Sequence, residues 1–145
     1  MIDMSTSAPD LKIVTLASSP LFAGLSRRQL EWMSSCLDVA RVAPDRTLFR
    51  EGTRADALWI IAEGEVDLSS RGLGLGRVGP GQVLGVAAML TRAEAVLTAV
   101  AAGPVRALVA SHQQLNQLKA CPQVAQRLRA VPPATLARMA ASIAA

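Results

Sequence analysis

The sequence predicts an α+β domain: an antiparallel β-roll or jelly-roll barrel of about eight short strands, with helices gathered at its N- and C-terminal sides. Three observations carry this reading. Between Val39 and Ala110 apolar residues recur with a period of two, and turn residues cut the pattern into short runs. Both flanks show helical spacing behind serine caps, at Ser26 and Ser111. Inside the β region, Gly79 to Val100 (GPGQVLGVAAMLTRAEAVLTAV) reads as strand, glycine, short helix, charged loop and strand.

Residues 1–17 are expected as an N-terminal tail, although Leu11 to Ala17 is apolar enough to pack as a short helix or strand. Ser26 and Gln29 have capping-box spacing, and Leu25 and Leu30 are placed for a hydrophobic staple. Leu30, Met33 and Leu37 share one face of the helix that follows. The period then changes to two over Val39–Ala43. Pro44-Asp45-Arg46 is a turn, Thr47–Arg50 a strand, and Glu51-Gly52-Thr53 another turn. Leu58–Ala62 is the clearest strand, and Glu63-Gly64 reads as a tight hairpin into Glu65–Ser69. Arg71–Gly76 is a glycine-rich connection, Arg77-Val78 a brief strand, and Gly79-Pro80-Gly81 a turn. Gln82–Leu84 is a strand, Val86–Leu90 a short helix, Thr91–Glu94 a charged loop, and a second apolar strand starts at Ala95. Thr98–Ala102 and Val105–Ala110 are strands joined by Gly103-Pro104. Ser111 with Gln114 is a second capping box, opening a helix with Leu115 and Leu118 on one face. Val124, Leu128 and Val131 fit another short helix, stopped by Pro132-Pro133. Residues 132–145 make a C-terminal helix with Leu136, Met139, Ala140 and Ile143 on one side.

At 145 residues the chain has room for one domain, and 51% hydrophobic residues suffice for a core. Phe22, Phe49, Trp32 and Trp59 are the only aromatics, so Val, Leu, Ile and Ala must fill that core. The net charge of +4 is scattered, without the Lys/Arg run of a nucleic-acid patch, so direct nucleic-acid binding is not expected. Cys36 and Cys121 are far apart and His112 is the single histidine, which argues for free, mostly buried thiols and against a zinc site. No apolar run approaches the roughly 18 residues of a membrane span, and MIDMSTSAPD lacks a signal-peptide pattern. The expectation is a cytoplasmic protein without membrane insertion.

The Gly79–Val100 stretch has the make-up of an anion cradle. A helix start offers unpaired N–H groups, and a glycine lets a ligand approach the backbone closely. Alanines keep the floor shallow. Other motifs carry less. Gly74-Leu75-Gly76-Arg77-Val78-Gly79 spells GxGxxG, but Pro80-Gly81 follows in place of a helix. Glu63 and Glu65 flank a hairpin glycine, where carboxylates are surface charges. His112 has no accompanying nucleophile motif, so the reading is not an enzyme.

Leu21–Ser26, Pro44–Gly52, Leu58–Val66, Val78–Gly81 and Val105–Leu115 together resemble, in order and spacing, the cyclic nucleotide-binding domain family. The resemblance spans roughly residues 18–131, which are taken as the domain. It implies a sensor domain like that of catabolite activator protein, with cAMP or cGMP as the possible ligand. It also implies that Gly79–Val100 is the phosphate-binding cassette. In the family a cassette Glu accepts the ribose 2′-hydroxyl and a downstream Arg pairs with the cyclic phosphate. Aligned without gaps, Gly85 takes the glycine position, Val86 the glutamate, Ala95 the arginine and Thr98 the Thr/Ser. Ala87 and Ala88 complete the candidate ligand-binding set. A second register, with three loop residues deleted, places Arg92-Ala93 on the Arg-Ala pair and makes Arg92 a substitute phosphate ligand.

In the ungapped register the cassette keeps its outline and loses its charged grip. Two missing charge-assisted hydrogen bonds cost roughly 3–6 kcal/mol, about 10²–10⁴ in affinity. The expected function is a stand-alone regulatory domain with lost or weak cyclic-nucleotide binding, acting as a sensor or a protein-interaction module. Its expected partners are a separate effector protein and a second copy, through the C-terminal helices. The alternatives are a true cAMP/cGMP regulator using Arg92, and a relative of catabolite activator protein without its own DNA-binding domain. Too few residues follow Pro122 for a helix-turn-helix.

Overall fold

The computed structural model describes residues 8–130. Helix α1 (Ala8–Ser18), a 3-10 turn (Pro20–Phe22) and α2 (Arg27–Ser35) precede the strands β1 (Asp38–Val42), β2 (Thr47–Phe49), β3 (Leu58–Glu63), β4 (Val66–Ser70), β5 (Leu73–Val78) and β6 (Val83–Leu84). Helix α3 (Val86–Thr91) is embedded before β7 (Thr98–Ala101) and β8 (Val105–Ala110). Helices α4 (His112–Leu118) and α5 (Pro122–Ala130) follow. Val131 and the helix expected over 132–145 lie outside the described residues.

The eight strands form two antiparallel four-stranded sheets, ordered β1-β8-β3-β6 and β2-β7-β4-β5. Their alternation builds two cores. One face of β3 and β8 (Leu58, Ile60, Leu108, Ala110) meets the helices, through Leu16, Phe22, Met33, Leu115, Leu118 and Leu128. The other face (Ile61, Val105, Ala107) packs inside the roll against Val66, Leu68, Val78, Leu97 and Ala99. β3 and β8 are therefore apolar on both sides, which is why Leu58–Ile61 reads as an unbroken apolar run.

Both capping boxes form. Ser26 Oγ accepts from Gln29 N–H at 3.2 Å, while Gln29 Oε1 accepts from Ser26 N–H at 2.9 Å. Ser111 and Gln114 make the same reciprocal pair, at 3.2 and 2.8 Å. Cys36 and Cys121 are free thiols.

Four expectations need correction. Residues before 18 are not all tail: α1 starts at Ala8, and Leu11 and Leu16 are buried, so the core reaches back past the expected boundary. β3 and β4 are not a hairpin; each belongs to a different sheet, and Gly64 carries the chain between them. The close passage of Pro104 and Val105 over Gly64 explains why a glycine stands there. The glycine-rich connection after Arg71 is largely strand: β5 pairs with β4 through a two-residue Arg71-Gly72 turn. Finally, Ala95–Leu97 is not strand, and β7 begins at Thr98.

Candidate functional site

Gly85 leads from β6 into α3 with φ of 88°, a left-handed conformation that glycine adopts without strain. A Cβ there would lie 3.1 Å from the Ala57 carbonyl oxygen. Helix α3 then runs six residues and ends at Arg92, also left-handed with φ of 54°. The loop after it is pinned to the 52–55 loop. Gly52 N–H donates to Ala95 O at 2.9 Å, Ala95 N–H to Thr53 O at 2.8 Å, and Arg54 and Glu94 form an isolated β-bridge.

The sequence-predicted site residues separate into groups. Gly85, Val86, Ala87 and Ala88 form the α3 start, as read from sequence. Val86 is buried in the helix-side core with Leu58, Ile60 and Met89, whereas Ala87 and Ala88 are half-buried. Arg92 is exposed, and its backbone N–H donates to Ala88 O. Ala95 is buried and lines a cavity of about 750 Å³. Thr98 is half-buried, and its hydroxyl accepts the Glu51 N–H at 3.1 Å, bracing the cavity rim.

That cavity is walled by Leu73 and Leu75 of β5, by Ala95 and Val96, and by Glu51, Gly52, Ser70 and Arg71. The sequence reading found only Ala95 of this set. Leu73 and Leu75 alternate along β5, but the glycines between and around them masked the period-two signal. Glu51 is the one anionic wall residue and is held in place: the Arg71 N–H is shared by its two carboxylate oxygens, each at 3.0 Å. The Ser70 hydroxyl donates to Val96 O at 3.2 Å. Arg77, further along β5, is outside the cavity wall and its pKa is pushed up by the hydrogen bond and charge of Asp67.

Val86 and Ala95 are thus apolar and buried, and the strand–glycine–helix frame of β6, Gly85 and α3 is complete. Among the described residues no helix is long and apolar enough to cross a membrane, and no group of His, Cys, Asp and Glu could hold a metal.

Over 120 residues the chain is 29% identical to a Rhodopseudomonas palustris protein provisionally named as a potassium channel protein. The match covers 80% of this chain and 29% of that relative, so the chain spans less than a third of its length. The N-terminal domain of a transcriptional regulator from Streptomyces coelicolor A3(2) superposes with a TM-score of 0.70 at 30% identity, over 79% of this chain and 86% of that one. Catabolite activator protein of Thermus thermophilus gives 0.72 at 28% identity, over 83% and 57%. The family model described as "Cyclic nucleotide-binding domain" matches residues 39–120, more than half of the chain. With that match, and with a glycine-led helix set between the strands of two four-stranded sheets in chain order, this chain belongs to the cyclic nucleotide-binding domain family.

Proposed function

We propose that the chain is a regulatory module of the cyclic nucleotide-binding type in which binding of cAMP and cGMP is lost or weak. The observation that carries this reading is the pair of apolar, buried residues at the two charged positions of the cassette, Val86 and Ala95. A cyclic phosphate placed against Ala95 meets hydrocarbon there and shares the cavity with the fixed carboxylate of Glu51. Backbone N–H groups at the α3 start remain, but they replace neither charge. The relatives support a role as a module read by something else: one is named as a channel protein, another as part of a transcriptional regulator. The output of this chain then passes to an effector protein or through self-association.

Calorimetry with cAMP and with cGMP tests the reading. No micromolar binding is expected, and micromolar binding by the native chain overturns it. If that binding is abolished by Arg92→Ala, the assignment moves to the register in which Arg92 is the phosphate ligand. Val86→Glu combined with Ala95→Arg restores up to two charge-assisted contacts. It should raise cAMP affinity by about 10² or more. Val86 is buried, so a thermal melt must accompany the measurement to show that the doubly substituted chain still folds.

A further inference from the structure

We infer that the cavity beside β5 takes an uncharged, largely apolar small molecule that carries an N–H or O–H donor. This inference rests on the reading above, that the anion grip is gone, and adds what replaces it. The volume of about 750 Å³ lies in the usual range for small-molecule sites. Leu75 and Ala95 form buried apolar wall, while Leu73 and Val96 stand at the opening, 54% and 61% exposed. They are two of only four large hydrophobic side chains so exposed among the described residues. Two of the four at one cavity mouth is the distribution expected where a ligand covers them.

The charged group held in place at the wall is an acceptor, the Glu51 carboxylate. Glu51 is pinned at its carboxylate by the Arg71 N–H and at its own N–H by the Thr98 hydroxyl. It has no ion-pair partner among the described residues. A carboxylate fixed in this way repels a phosphate or sulfonate, and its unused lone pairs accept from a neutral donor. Arg71 is exposed and balances the formal charge of the wall. The Ser70 hydroxyl spends its proton on Val96 O, so it can only accept from a ligand, as Glu51 can.

Two fluorescent probes test this directly. N-phenyl-1-naphthylamine is neutral, apolar and carries one N–H; 8-anilino-1-naphthalenesulfonate has the same frame plus a sulfonate. Titrations of the full chain should show saturable, one-site binding of the amine, about ten-fold or more tighter than the sulfonate. Leu73→Asp and Val96→Asp, both at exposed positions, should each weaken the amine by about ten-fold. Glu51→Gln should narrow the gap between the probes. Equal or tighter sulfonate binding, no saturable amine binding, or amine binding indifferent to both aspartates overturns the proposal. The two readings fail separately. Micromolar cAMP binding sinks the earlier one, whereas a chain that binds neither cAMP nor the amine leaves the earlier one standing and sinks this one.

Discussion

Gly64 sits where the chain leaves one sheet for the other. Its φ is 87°, and a Cβ would fall 2.3 Å from the Pro104 carbonyl oxygen and 3.1 Å from Val105 Cα. Both atoms belong to backbone, which cannot swing aside. Gly64→Ala should therefore destabilise the fold by roughly 2 kcal/mol or more, read as a lowered midpoint in urea unfolding. An unchanged midpoint would mean that the crossing is looser than the geometry shows. Arg71 is the converse case. It adopts φ of 53° without being glycine, at an expected cost of roughly 1 kcal/mol. The hydrogen bonds from its N–H to the Glu51 carboxylate offset that cost. An Arg-Gly pair is a poor signal for a two-residue turn, which is why the β4–β5 hairpin was illegible from sequence.

At the level of elements, α3 and α4 were legible because their signals are local. A glycine before a run of small residues, and a serine three residues before a glutamine, act through neighbouring backbone groups. Helix α1 starts within Ser7-Ala8-Pro9-Asp10, a start signal that the sequence reading passed over, and packing reveals its role. Leu16 is fully buried within the helix-side core. Leu16→Ala should cost about 2–5 kcal/mol, whereas truncating a residue in a loose tail would cost almost nothing. Thermal unfolding followed by circular dichroism separates these outcomes. The cassette helix carries a further lesson. Its outline was read correctly, but Val86 turned out to face the core alongside Met89, so its replacement by glutamate tests packing as well as binding.

For the whole molecule, the roll is shaped by small residues. Ala99, Ala101 and Ala107 are fully buried on its inner face, where larger side chains would push the sheets apart. The helical side is closed by α1, α2, α4 and α5 over the other face of β3 and β8. Self-association is proposed from the spacing of Met139 and Ile143, which lie outside the described residues. Light scattering should show a dimer that weakens when both are replaced, as Met139→Gln with Ile143→Gln. A native chain that is monomeric at high concentration removes this proposal.

Reading along the chain was enough for the α+β class, for the bounds of β8, for both capping boxes and for the glycine-led helix. Each depends on residues within a few positions of one another, where backbone geometry and side-chain alternation act directly. Which strand pairs with which was settled only by closure of the roll, because a period of two marks the faces of a strand and is silent about its neighbour. The cavity beside β5 was settled there too. Its walls come from the 51–52 loop, the 70–75 hairpin and the 95–96 segment, which have no common pattern in sequence and meet only where β2, β7, β4 and β5 pair in one sheet.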